Sequence, residues 1–289
     1  MGGWTIGIIG GSGLYDVEGI ENGAWEEVHS PWGQPSDDCF VGRVGHVRVV
    51  FLPRHGRGHR VSPSELNARA NIDVLKRLGV TDVLAVSSVG SLAEERAPGT
   101  FTIADQFIDR TKGRPSSFYG SGMVAHVSMA DPVCARLSSL AAEAARAAGA
   151  TVHEGGTYLA MEGPQFSTRA ESHLYRSWGC DIIGMTAMPE AKLAREAELP
   201  YALVGMVTDY DCWREGEEAV DVAQVIAQLS ANAEKARAMV MRLLRNLPEE
   251  RPASPIDTCL DTALITAPHV RDPELLRKLD AVAGRALGG

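Results

Sequence analysis

The sequence contains no C-x-x-C pair, and its five cysteines, Cys39, Cys134, Cys180, Cys212 and Cys259, are odd in number and widely spaced. That pattern argues against a disulfide framework and against a structural zinc site. Positive charge is also scarce: 28 Lys and Arg against 37 Asp and Glu leave a formal net charge of −9. Such a chain is poorly suited to a nucleic-acid backbone or an anionic membrane surface, so a phosphate-bearing ligand requires a local cationic site. No apolar run approaches the ~18 residues that span a bilayer. Met1-Gly2-Gly3-Trp4-Thr5-Ile6 lacks the basic start and long apolar stretch of a signal peptide. It opens like a myristoylation signal but carries Ile6 where Ser or Thr is required. The expected location is the cytoplasm. Internal repeats and low-complexity tracts are missing as well.

What is present is a 289-residue chain, 45% hydrophobic and 22% charged, in which short apolar runs alternate with helical patterns. Strands are expected at Thr5 to Ile9, Val47 to Leu52, Val83 to Val86, Thr157 to Met161, Ile182 to Met185 and Ala202 to Val207. Two capping boxes mark helix starts, Ser62-Pro63-x-Glu65 and Thr168-x-x-Glu171. The first helix should run to Leu78 and stop at Gly79, and Asp131-Pro132 should open an Ala-rich helix that stops at Gly149. A long helix is expected from about Val220 to Leu247. Residues 1–247 then form one α/β domain, a mixed, mostly parallel central sheet flanked by helices. Residues 248–289 form a linker, Pro248 to Pro255, and a helical tail packing on the domain or on a neighbouring subunit, with Asp272-Pro273 capping a small amphipathic helix.

In sheets of this kind ligands bind at the carboxyl ends of the strands. Gly10-Gly11-Ser12-Gly13 places a hydroxyl among unshielded backbone N–H groups, which suits an oxyanion, although a tight turn alone would use the same residues. It is neither a Walker A loop nor a dinucleotide fingerprint, because no Gly-Lys-Ser/Thr follows and Asp16 stands where the third glycine belongs. Arg54-His55, in a Gly-interrupted basic loop, offers a planar fork and a second donor to phosphate oxygens. Ser87-Ser88 and Thr186 add hydroxyls at two further strand ends. Asp209-Tyr210-Asp211 supplies two carboxylates that can address one heterocycle, one at a ring nitrogen and one at an exocyclic amine.

Six blocks carry a resemblance: Gly10-Gly11-Ser12-Gly13-Leu14, Pro53-Arg54-His55-Gly56, Phe107-Ile108-Asp109-Arg110-Thr111, Met161-Glu162-Gly163-Pro164-Gln165-Phe166-Ser167, Ile183-Gly184-Met185-Thr186 and Thr208-Asp209-Tyr210-Asp211-Cys212-Trp213. In this order and spacing, from about Thr5 to about Leu247, the chain resembles the 5′-methylthioadenosine phosphorylases of the trimeric purine nucleoside phosphorylase family. The resemblance implies a homotrimer that needs neither cofactor nor metal, with inorganic phosphate as co-substrate. It assigns phosphate contacts to Ser12, Arg54, His55, Ser88, the backbone at Val89, and Thr186. Met185 is implied under the ribose, Phe166 and Ser167 beside the purine, and Asp209 and Asp211 at its N7 and N6 side as the catalytic pair. Val222 and Val225 are implied in the 5′ pocket, and His126 at the sugar of a neighbouring subunit. Many relatives have Thr where Ser12 and Ser88 stand, which keeps the hydroxyl.

The reaction expected is phosphorolysis of 5′-methylthioadenosine to adenine and 5-methylthioribose 1-phosphate. The nearest alternative is a phosphorylase of 6-oxopurine nucleosides (inosine, guanosine or methylthioinosine), against which Asp209 argues, because a carboxylate repels O6 where an Asn would donate to it. An NAD-linked module is disfavoured by the broken glycine spacing, and a hydrolytic nucleosidase by the cluster of hydroxyls and cations.

Overall fold

In the computed structural model the described residues are 3–11, 14, 19–214 and 222–288, without the side chains of 222–225 and 227. The strands are β1 (Thr5–Gly10), β2 (Glu21–Glu26), β3 (Cys39–Val44), β4 (Val47–Pro53), β5 (Asp82–Ser91), β6 (Phe101–Ala104), β7 (Gln106–Asp109), β8 (Val152–Glu154), β9 (Thr157–Ala160), β10 (Ile182–Gly184) and β11 (Tyr201–Asp209). The helices are α1 (Ala68–Arg77), α2 (Ala135–Ala147), α3 (Arg169–Ser177), α4 (Ala187–Glu196), α5 (Val222–Asn246), α6 (Pro273–Lys278) and α7 (Asp280–Leu287). One mixed sheet runs β2-β3-β4-β1-β5-β10-β9-β7, and β11 lies between β5 and β6, with β8 beyond β6.

Side chains alternate across a strand, so each central strand feeds two cores. Val83 and Ala85 of β5 and Leu203 and Val207 of β11 point to one face, where residues of α1, α4 and α7 pack. Leu84, Val86, Ala202 and Val204 point to the other, against α2 and α5. The expected α/β architecture, a mixed sheet with helices on both faces, is borne out. No helix among the described residues is long and apolar enough to cross a membrane.

The feature that creates a site is a gap in this sheet. β1 pairs with β5 only as far as Ile9 opposite Ala85. β10 takes the same edge of β5 only from Gly90 and Ser91 onward. Between them Val86 to Val89 have β11 on one side and, among the described residues, no strand on the other. The expectation that a strand ends before Ser87 is therefore corrected: β11 pairs along β5 as far as Gly90, and the strand continues to Ser91.

Two helix starts also differ. Ser62 does not open a long helix: Pro63–Glu65 is an isolated 3₁₀ turn, because Leu66 is extended (φ −60, ψ 121). The Ser62 hydroxyl donates to the Glu65 carboxylate (2.6 Å), and Asn67 instead caps α1 by accepting from Ala70 N. Asp131-Pro132 does not open α2, which begins at Ala135; Arg195 holds the carbonyls of Ser128 and Asp131, and Cys134 N donates to Tyr201 O. The tail has two helices, α6 and α7, meeting at Leu279, and Asp272 caps the first as expected. Leu260, Ala263, Leu279, Val282 and Ala283 of this tail lie in the same buried cluster as α1 and α4.

Candidate active site

The gap beside β5 opens into a cavity of about 310 Å³. Ends of adjacent elements meet there: Gly11 after β1, Arg54 and His55 after β4, Ser87 to Gly90 on β5, Met185 and Thr186 after β10, and Asp209 and Asp211 at the end of β11. Phe166 and Met161, after β9, close another wall, and Leu229 and Ala233 of α5 a further one. The structure thus brings together Arg54, His55, Ser88, Val89, Phe166, Met185, Thr186, Asp209 and Asp211.

At the Arg54 end the chemistry is buried and paired. β1 and β4 are parallel neighbours, and Arg54 N donates to Gly10 O (2.9 Å), which sets the side chain across the end of β1. The guanidinium gives Nε and one Nη2 hydrogen to the Glu190 carboxylate, at 3.1 and 3.3 Å. It gives a second Nη2 hydrogen to Ile9 O and one Nη1 hydrogen to Val86 O. One Nη1 hydrogen of the five N–H donors remains, without a partner among the described residues. Glu190 also accepts from the Tyr201 hydroxyl (2.8 Å). Burial alone would lower the pKa of Arg54, but the adjacent Glu190 charge outweighs it and raises the value, so the group stays cationic. His55 turns Nδ1 to the Val61 carbonyl (2.9 Å), and His59 stacks on its ring at 4.3 Å. Burial, with Arg54 and His59 adding to it, pushes His55 down to about 4 despite the bond to Val61. The Thr186 hydroxyl is 3.4 Å from that of Ser87.

At the carboxylate end the groups are less satisfied. Asp209 accepts from the Thr208 hydroxyl (2.6 Å) and from Asp211 N (2.8 Å), yet burial outweighs both and raises its pKa. Burial also raises Asp211, whose nearness to Asp209 adds to the effect while the neighbouring Ser172 hydroxyl partly offsets it. Asp211 Oδ2 is buried and meets no donor at hydrogen-bonding geometry among the described residues. Its backbone sits in the left-handed region (φ 52), a conformation Asp tolerates better than most residues. Thr168 and Glu171 form the expected reciprocal capping box of α3, which anchors the chain just after Phe166-Ser167.

One residue ties several of these loops together. Arg114 donates to the Glu162 carboxylate and carbonyl after β9 and to the Met185 and Met188 carbonyls after β10. Neither Arg114 nor Glu190 stood out in the sequence, although a carboxylate inside Ala187-Met188-Pro189-Glu190-Ala191 signals a buried pair. His59, Pro63, Leu229 and Ala233 were missed as lining residues as well.

Other expected residues are not among the described residues of the cavity wall. Ser12 lies outside the described residues. Val222 and Val225 fall in the first turn of α5, and their side chains are likewise outside them. Ser167 sits just behind the wall: its hydroxyl donates to Met161 Sδ (3.5 Å), and its carbonyl accepts from the Cys212 thiol. His126 is exposed on a segment bridged to the tail, where its N–H donates to Ala263 O. Within one chain it does not line the cavity. Among the described residues no three His, Cys, Asp or Glu side chains could hold a metal ion.

Residues 5–245 match the Phosphorylase superfamily. The chain is 62% identical over 286 residues to the S-methyl-5′-thioadenosine phosphorylase of Cereibacter sphaeroides, covering 98% of this chain and 99% of the relative. It is 55% identical to that of Rhodospirillum rubrum, over 98% of this chain and 97% of the relative. Among solved structures, a methylthioadenosine phosphorylase from an antarctic soil metagenomic library superposes with a TM-score of 0.91 at 47% identity, covering 96% of this chain and 98% of that one. The methylthioadenosine phosphorylase of Schistosoma mansoni in complex with adenine gives 0.79 at 40% identity, over 83% and 90%. The chain belongs to the phosphorylase superfamily and, within it, to the 5′-methylthioadenosine phosphorylases.

Proposed function

We propose that the protein is a purine nucleoside phosphorylase that converts 5′-methylthioadenosine and inorganic phosphate into adenine and 5-methylthioribose 1-phosphate. One observation carries this reading: a single cavity joins a set of anion donors at strand ends to two carboxyl groups whose pKa values burial raises. Phosphate fits the first end, which Arg54, His55, Ser88 and Thr186 line, with Ser12 and the Val89 backbone assigned beside them by resemblance. The base fits the second end, with Phe166 and Ser167 beside it and Met185 under the ribose.

Breaking the glycosidic bond builds positive charge on the ribosyl ring and negative charge on the departing base, and contacts that strengthen in that state accelerate the reaction. A phosphate oxygen near C1′ stabilises the cation and then attacks it. Asp209, whose pKa burial raises, donates a proton to N7 of adenine, while Asp211 accepts a hydrogen bond from the N6 amine. The resemblance assigns Val222 and Val225 to the 5′ pocket; both positions fall in the first turn of α5, the helix that also carries the lining residues Leu229 and Ala233. No cofactor or metal is required by this scheme. In the proposed cytoplasmic homotrimer His126 completes the sugar site of the adjacent subunit, one site per head-to-tail interface.

The test is base release from methylthioadenosine, adenosine and inosine, each with and without phosphate. Phosphate-dependent adenine release with a sugar phosphate as product is expected; equal turnover in phosphate-free buffer would overturn the reading. For His126, mixed trimers of His126→Ala and Asp209→Ala chains should regain activity above either parent, and no regain in verified mixed trimers rules out a shared site.

A further inference from the structure

The anion end of the cavity has very little net charge to offer. Arg54 is the only Lys or Arg among the described lining residues, and Glu190 holds it in a buried two-point ion pair with both side chains nearly inaccessible. The pair sums to zero, and four of the five guanidinium N–H groups are already committed. Ser88 and Thr186 contribute dipoles but no charge. The remaining ionisable side chains at this end, among the described residues, are His55 and His59, whose rings stack.

Its hydrogen bond decides what His55 can do. A carbonyl only accepts, so Nδ1, 2.9 Å from Val61 O, must carry the hydrogen. In the neutral ring Nε2 is then a bare lone pair, the opposite of what an oxyanion needs. The groups bearing charge on the ring are Arg54, adjacent in sequence, and His59, stacked on its face; both oppose a proton on it, and Glu190 reaches it only through Arg54. Burial adds to this and pushes His55 down to about 4, so near neutral pH and above the free protein holds it neutral.

We propose that phosphate enters this site together with a proton: the bound anion is a net monoanion, with the proton held between one of its oxygens and Nε2 of His55. Each dianion taken from solution then carries one proton in with it. The bond Nε2···H–O replaces a lone-pair clash, and the cavity is spared a second uncompensated negative charge. The proton comes from solvent and nothing is oxidised or reduced. The inference rests on the phosphorolytic reading and adds the ionic form the site selects.

The sign follows from the two titrations. Well above the second ionisation of free phosphate, the solution species is the dianion and free His55 is neutral, so binding takes up about one proton and affinity falls about tenfold per pH unit. Nearer pH 5.5, roughly, free phosphate already carries that proton and His55 is still neutral, so uptake falls to about zero.

Calorimetric titration of the whole protein with inorganic phosphate, alone and with adenine present, measures this directly when repeated in buffers of different ionisation enthalpy. The expected result is uptake near one proton per phosphate at about pH 8.5 and near zero at about pH 5.5. Saturable binding without uptake at the higher pH overturns the inference while leaving the phosphorolytic reading intact. No saturable binding at either pH overturns both. A His55→Gln variant, whose amide can donate but cannot hold the proton, should bind phosphate roughly tenfold or more weakly and with almost no proton uptake. Unchanged uptake in that variant would take the proton away from His55.

Discussion

At one end of the cavity Arg54 is 2% exposed and locked to Glu190 and two carbonyls; at the other Phe166 is 47% exposed and Asp211 Oδ2 lacks a donor among the described residues. The first end is finished before a ligand arrives: its donors are aimed by a buried pair, so binding reorganises little. The second has an acceptor oxygen that lacks a donor among the described residues and that a ligand amine would satisfy, an exposed ring that a base would cover, and a left-handed backbone at Asp211. The difference separates recognition of an invariant oxyanion from recognition of a variable nucleoside. Rigid pairing suits the former, and groups that complete themselves on the substrate suit the latter.

The largest expected effect tests the open end. Asp209→Asn removes the proton donor and should cut turnover of 6-aminopurine nucleosides by ~10²–10⁴. It should also improve 6-oxopurine use in relative terms, because an amide can donate to O6. The pH profile carries a second readout. A donor must be protonated, and burial raises Asp209, so wild-type kcat should fall as pH rises through that raised value. The variant should lack this limb. Near-wild-type activity on methylthioadenosine would reduce Asp209 to a turn residue.

The next effect breaks the closed end. Glu190→Ala strands a buried guanidinium and should cost about 3–5 kcal/mol of stability, read by denaturant unfolding. Glu190→Gln keeps the shape and some hydrogen bonds and should cost less, while freeing the charge of Arg54 and thereby flattening the pH dependence of phosphate affinity. A loss under ~1 kcal/mol in Glu190→Ala would mean the pair is no anchor. A smaller loss is expected from Thr186→Val, which removes one hydroxyl to a charged ligand: a phosphate KM raised about tenfold, with the nucleoside KM less affected. Equal changes in both KM values would place Thr186 away from the anion.

How much of this was legible follows the same division. Arg54, His55, Ser88, Thr186, Asp209 and Asp211 were readable because each follows or ends an apolar run, and in a parallel sheet those ends converge. Glu190 and Arg114 were not, because their partners lie 136 and 48 residues away in sequence and no local pattern encodes such pairing. β2, β3, β6, β7 and β8 escaped for a related reason: Glu21–Glu26 is exposed throughout, Gly42 and Arg43 interrupt the apolar run of β3, and β6 to β8, at three or four residues, give periodicity too little length. The gap beside Val86 to Val89 is a property of sheet order, which Ser87-Ser88 alone cannot reveal.

The smallest effect sharpens the comparison at the level of one motif. Each end of the cavity is flanked by a Ser/Thr-x-x-Glu sequence, and the two read alike. Thr168 accepts from Glu171 N at 3.2 Å while Glu171 reaches back to Thr168 N at 2.8 Å, so both halves of the box are made beside the base end. Ser62 instead spends its hydroxyl as a donor to Glu65 and makes no side-chain cap, in a turn too short to propagate. Losing the first should therefore cost about 1 kcal/mol, the usual value of a helix N-cap. Losing the second removes only an exposed hydroxyl-to-carboxylate bond and should cost a few tenths, roughly. Denaturant midpoints of Thr168→Ala and Ser62→Ala at unchanged m-value measure the pair. Thr168→Ala should also raise the nucleoside KM more than the phosphate KM, since the loop it fixes carries Phe166 and Ser167. Equal stability losses would show that Ser62 caps after all, and a selective rise in phosphate KM in Thr168→Ala would show that α3 does not set the base end.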